Sequence, residues 1–119
     1  MRRTAAVLVA LLACGLAGAA WAQEAVPAAP DAVQRELQAI EDLLVRAIAE
    51  FDGAQQSRSI VILDEIITRL ESLRRDRTLP PRGREVLAQA YELRGRAYYN
   101  IGLQEKAADS FRSLIQLQP

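Results

Sequence analysis

Few residues in this chain could do covalent or acid–base chemistry. Cys14 is its one cysteine, and histidine is absent. Without histidine there is no imidazole ligand for a metal and no histidine base for a catalytic triad. Two carboxylate pairs, Glu41/Asp42 and Asp64/Glu65, are adjacent in sequence. Adjacent residues on a helix do not face each other, so neither pair forms a general acid with its base. Five arginines, Arg74, Arg75, Arg77, Arg82 and Arg84, crowd one short stretch. They could meet an anionic partner, but no aromatic residue interleaves to stack bases, and Asp76 sits among them; the plainer reading is a solvated connector. Nor is there a glycine-rich loop to cradle phosphate. The inventory points away from an enzyme and predicts no cofactor and no metal.

Charge agrees with this. The chain has 15 basic and 15 acidic residues. Such a balance gives no general attraction to nucleic acid or to an anionic membrane. The bases are almost all arginine, Lys106 being the one lysine.

The first residues read as an export signal. Arg2 and Arg3 precede the uncharged run "AAVLVALLACGLAGAA", and Ala20-Trp21-Ala22 supplies an A-x-A cleavage site. The expectation is a signal peptide over 1–22 and a mature chain starting at Gln23, located in the periplasm or cell envelope. Removing Arg2 and Arg3 leaves 13 basic against 15 acidic residues, a charge of −2. An alternative starts from "LLAC", which resembles a lipobox and would make Cys14 a lipidated first residue. Against it, the apolar run continues past Cys14. A third reading keeps the segment as an uncleaved anchor, although it is short for a span of about 20 apolar residues. Membrane attachment is expected only under these two alternatives.

Residues 23–30, "QEAVPAAP", read as a Pro/Ala-rich linker. From Asp31, placed to cap a helix, apolar residues recur at Val33, Leu37, Ile40, Leu44, Ala47 and Phe51, one stripe on a helix that Leu43 and Ile48 widen. Such a stripe could also drive coiled-coil pairing, though it is more often the buried face of a bundle. Asp52-Gly53 ends the helix, with Gly53 expected as a left-handed cap. Ser57 or Ser59 is expected to cap a second helix, with Ile60, Leu63, Ile67 and Leu70 in one row and Ile62, Ile66 and Leu73 in the next. Pro80-Pro81 interrupts the pattern, so 74–84 reads as a loop. A third helix is expected from about Gly83 to Asn100, a tight turn at Ile101-Gly102, and a fourth helix from Gln104 to Leu117. The fold class is therefore all-α: two antiparallel helical hairpins, 31–75 and 83–118, in one domain over 31–119.

The second hairpin resembles a tetratricopeptide repeat, a helix-turn-helix of about 34 residues with the pattern W-x2-L-G-x2-Y…A-x3-F…P. With Pro119 set at the terminal proline, Tyr91, Gly95, Tyr98, Gly102, Ala107 and Phe111 fall in register without a gap. The resemblance covers 88–119. Arg94 departs from it, standing where the family has leucine, with Leu93 one place early, and Leu114 stands where a small residue is expected. The first hairpin matches in shape, not in letters. Gly95 and Ala107 are expected to be small because the helices cross closely there, and Tyr91 and Tyr98 to face the partner helix. Phe111 is expected to fill the space between hairpins, Gly102 to supply a positive φ, and Pro119 to stop the helix.

The resemblance implies a function class. Such repeats bind extended peptides along the first helix of each hairpin, which here gives Gln89, Glu92, Arg96, Tyr99 and Asn100 as the partner-binding face. The expectation is a non-catalytic scaffold or adaptor binding a protein or peptide in a bacterial cell envelope. The alternative is a structural or self-associating segment of a larger envelope protein, or a lipoprotein component of an outer-membrane complex. Because repeats bury their faces on neighbours, the chain also reads as part of a longer array, with an apolar patch left near Phe111, Leu114 and Leu117.

Overall fold

The computed structural model describes the backbone of residues 28–117 and side chains from 31 to 117; the signal-peptide, Cys14 and Pro119 readings lie outside the described residues. The described residues form four helices: α1 (Ala28–Asp52), α2 (Gln56–Arg75), α3 (Pro81–Asn100) and α4 (Gln104–Leu117). The described residues contain no strand, so the all-α expectation holds. Packing divides the chain into two units, Met1–Gln34 and Arg35–Pro119. The described part of the first is the opening of α1.

Side-chain ties fix the direction of each neighbour. Arg69 of α2 reaches Glu36 near one end of α1, and the Ser59 hydroxyl donates to the Ala47 carbonyl near the other, at 2.8 Å. These two helices are thus antiparallel. Likewise Tyr91 of α3 meets Glu71 of α2 and Arg94 meets Asp64, while Arg94 and Arg84 meet Ser110 and the Leu117 carbonyl of α4. Each helix therefore runs against the one before it. A tie from Arg82 of α3 to Glu41 of α1 at 2.6 Å joins the alternate pair, which runs side by side in the same direction.

One core fills the seams. Leu37, Ile40, Leu44 and Ala47 of α1 join Leu63, Ile66, Ile67 and Leu70 of α2, Val86, Leu87, Ala90 and Tyr91 of α3, and Leu117 of α4. The helical spacing read from α1 and α2 is what places these residues together. The fully buried Leu63, Leu70 and Leu87 each withdraw roughly 2 kcal/mol worth of apolar surface from water.

Several expected boundaries move. The first helix is already helical at Ala28, ahead of Asp31, and includes Pro30, whose ring removes one backbone donor. The loop predicted over 74–84 shrinks to 76–80, because Arg74 and Arg75 complete α2 and Pro81 opens α3. Proline suits that first position, where its fixed φ is already helical. Neither Ser57 nor Ser59 caps α2: the cap is Gln55, with no side-chain bond, and Ser59 is wholly buried as the tie to α1.

Helix ends repeat one device. Gln55 N–H donates to the Glu50 carbonyl, Thr78 to Leu73 and Leu103 to Tyr98, each beside a bond from the preceding residue to the carbonyl three residues before it. This is the Schellman arrangement, which sets that preceding residue in the left-handed region. Those residues are Ala54 (φ 61°), Arg77 (φ 59°) and Gly102 (φ 84°). So Gly102 does what was expected of it, whereas Gly53 does not: Ala54 takes the positive φ instead.

The second hairpin closes over Gly95. A Cβ built there would lie 2.7, 2.8 and 2.9 Å from three atoms of the Phe111 ring. The close crossing is as expected, but Phe111 is set against its own hairpin rather than filling a space between hairpins. The expected patch at Phe111, Leu114 and Leu117 is found only in part, with Phe111 and Leu114 half-buried and Leu117 buried. Leu117 is 1% exposed, Leu114 packs against the core, and the exposed apolar residue of α4 is Ile115.

Candidate functional site

A groove of about 340 Å³ runs between α1 and α3. Leu44, Ile48, Phe51 and Asp52 come from α1; Gln89, Glu92, Leu93 and Arg96 come from α3. The α3 residues recur at three- and four-residue steps, which puts them on one stripe of that helix. Its volume falls in the range of small-ligand clefts, and its lining is four apolar and four polar or charged side chains.

Three of the five residues expected on the partner-binding face, Gln89, Glu92 and Arg96, line this groove. The other two do not. Tyr99 is 64% exposed but beyond the groove, and the Asn100 amide donates to Gln56 Oε1 at 3.3 Å, turned toward α2. The α1 wall was missed. Leu44 and Phe51 read as part of a buried stripe, and Ile48 as its widening; yet Ile48 is 42% exposed. An isoleucine off the main stripe, one turn before an aspartate, is the signal that was available.

Local chemistry distinguishes the walls. The Arg96 guanidinium lies over the Phe51 ring, 5.3 Å from its centroid, a cation–π contact that joins α3 to α1. Asp52 and Glu92 make no ion pair among the described residues. Most other acids near the helix seams are paired. Glu36 accepts two bonds from Arg69, at 2.8 and 2.9 Å, and that bidentate pair holds its carboxyl below the ordinary carboxylate range. Glu41, Asp64 and Glu65 pair with Arg82, Arg94 and Arg69. Asp64 and Glu65 are thus drawn to different cations, and Asp42, beside Glu41, accepts from the Gln38 amide at 3.3 Å.

The arginine cluster disperses in the same way. Arg74 pairs with Glu71, Arg82 with Glu41 and Glu85, and Arg84 donates to the Leu117 carbonyl. Arg75 and Arg77 alone of the five make no such contact among the described residues.

The packing residues of the repeat-like pattern are engaged inside the fold. Tyr91 is buried and its hydroxyl donates to Glu71 at 2.8 Å; burial first, then that carboxylate, push the phenol up to about 12. Its partner is α2, not the other helix of its own hairpin. Tyr98 is half-buried, with Lys106 of α4 5.7 Å from its ring centroid, and Ala107 is buried. Arg94, the departure from the pattern, bonds Asp64 at 2.9 Å and Ser110 at 3.0 Å and lies over Tyr91 at 5.5 Å. One arginine thus links three helices where the pattern has a leucine.

No family model, curated protein or solved structure matches this chain. Among the described residues no cluster of three or more metal-binding side chains occurs, and no helix is long and apolar enough to cross a membrane.

Proposed function

We propose that this chain is a non-catalytic interaction module, built on tetratricopeptide-like hairpins, that holds a peptide segment of a partner protein in the groove between α1 and α3. The observation that carries this reading is the groove itself: Ile48 stands 42% exposed beside Phe51, Leu44 and Leu93, with polar groups at the edges. The arrangement of the helices supports it. First helices of the two hairpins lie side by side in the same direction, as stacked repeats require if they are to share one binding surface.

Selection of octapeptides from a phage-displayed library on the purified chain tests the proposal. Binders are expected, and Ile48→Asp is expected to abolish their binding without changing the helical circular dichroism, since Ile48 is outside the core. An unchanged peptide set on the Ile48→Asp protein removes the groove from consideration. Export to the periplasm or cell envelope is part of the same proposal, resting on Arg2, Arg3 and the apolar run that follows. Mass spectrometry of the exported N-terminus decides it: Gln23 is expected, whereas a lipidated Cys14 would replace the soluble reading with a membrane-anchored one.

A further inference from the structure

The seam between α1 and α3 has two ends of different chemistry. At one end Glu41 and Arg82 tie the helices at 2.6 Å. Eleven residues is three helical turns, so the positions eleven further along each helix return to the same seam. They are Asp52 and Leu93, and both line the groove. The acid is repeated; the arginine that would answer it is not. Glu92, next to Leu93, adds a second carboxylate without an ion-pair partner among the described residues. The one cation of the groove, Arg96, lies over the ring of Phe51 and also makes no ion pair among the described residues, which leaves two carboxylates against one guanidinium.

Resting on the interaction-module reading, we infer that the groove takes a basic–apolar peptide segment. An aliphatic side chain of the ligand seats on Ile48, Phe51 and Leu93, and a flanking arginine or lysine meets Asp52 and Glu92. Charge complementarity identifies this occupant. A peptide cation supplies the partner that the seam lacks, and an acidic peptide would set a like charge against two carboxylates. Size sets a further limit. From Leu44 to Asp52 the α1 wall rises about 12 Å, which matches about four residues of extended peptide.

The test uses purified protein and three fluorescein-labelled octapeptides, GSLRLRGS and its counterparts with both arginines replaced by glutamine or by glutamate. Fluorescence anisotropy at low salt is expected to give the arginine peptide about ten-fold tighter binding than the glutamine peptide, the scale of two exposed ion pairs, with the glutamate peptide weakest. Rising salt should shrink that ratio. The double change Asp52→Asn with Glu92→Gln should remove the arginine preference and leave the glutamine peptide's affinity as it was. Equal binding of all three peptides, lost on Ile48→Asp, would overturn the charge assignment and leave the groove reading standing. An arginine preference that survives the double change would overturn it too. Absence of any octapeptide binder sensitive to Ile48→Asp would overturn both.

Discussion

Replacing Gly95 by alanine puts a methyl carbon where the Phe111 ring already lies. The new Cβ would stand 2.7–2.9 Å from three ring carbons, against an ordinary carbon–carbon separation of about 3.5–4.0 Å. Overpacking of this kind costs about 1–3 kcal/mol. Opposing it, alanine is about 1 kcal/mol better than glycine inside a helix. The net expected for Gly95→Ala is a loss of about 0–2 kcal/mol. Phe111 is only half-buried, so the ring can swing outward, which keeps the loss toward the lower end. The sign of the effect then depends on the ring. In a Phe111→Ala background the clash is gone and only the helical preference remains, so Gly95→Ala should stabilise by about 1 kcal/mol. Urea unfolding of the wild type, both single variants and the double variant, followed by far-ultraviolet circular dichroism, measures the coupling directly. A Gly95→Ala gain that is the same with and without the ring would refute the close crossing and the reason given for that glycine.

Other outcomes follow from the same contacts. Ala54→Gly and Arg77→Gly relieve left-handed backbones and should each raise stability by about 0.5–1 kcal/mol, while Gly102→Ala, with no side-chain neighbour near its Cβ position, should lower it by about 1 kcal/mol through backbone alone; urea melts check all three. Ser59→Ala should cost about 1 kcal/mol in the same assay, since the Ala47 carbonyl loses its second donor. Tyr91, whose phenol is raised in the fold to about 12 from about 10 in an unfolded chain, favours the folded state as the neutral form. Its contribution is complete below pH ~10 and is lost as pH rises through about 12, so Tyr91→Phe should flatten the alkaline fall of thermal stability. Glu36 acts on the other side, its lowered carboxyl favouring the fold above its ordinary range and losing that effect in acid; Glu36→Gln should flatten the acid limb.

What the sequence discloses about this fold divides along physical lines. Helical spacing showed the α1 and α2 stripes, and α4 starts at Gln104, about where expected, because periodic burial is written into side-chain type. Helix ends were less legible. A Schellman termination is made by backbone bonds, so Ala54 and Arg77 take left-handed angles that their side chains do not advertise, and glycine at 53 misdirected the reading by one residue. Ser59 misled for a related reason: a hydroxyl near a helix start reads as a cap, and only packing reveals that its acceptor lies on another helix, at Ala47. Of the groove, the α3 wall was readable through the repeat resemblance, but the α1 wall required knowing that α1 and α3 run side by side. Tyr99 and Asn100 were assigned to the face by the same resemblance, which covers the whole first helix of the hairpin and so extends past the point where the groove ends.

Arginine chemistry ties these observations together. Arg69, Arg82 and Arg94 each carry a charge across to another helix, at Glu36, Glu41 and Asp64, and Arg94 takes a place where the pattern calls for a leucine. Half-exposed seams that apolar side chains could not close are thus closed by forked, multiply bonded cations. Each such pair contributes little to stability by itself, since partly exposed ion pairs are worth about 0–1 kcal/mol. Their effect is on register: each arginine fixes which turn of one helix faces which turn of the next. The α1–α3 seam is fixed at Glu41–Arg82 and by Arg96 on Phe51, and the groove opens from Leu44 along to that second contact and Asp52. A seam held at two points and open along the groove keeps its shape without a ligand, which lowers the ordering cost that a partner would otherwise meet on binding.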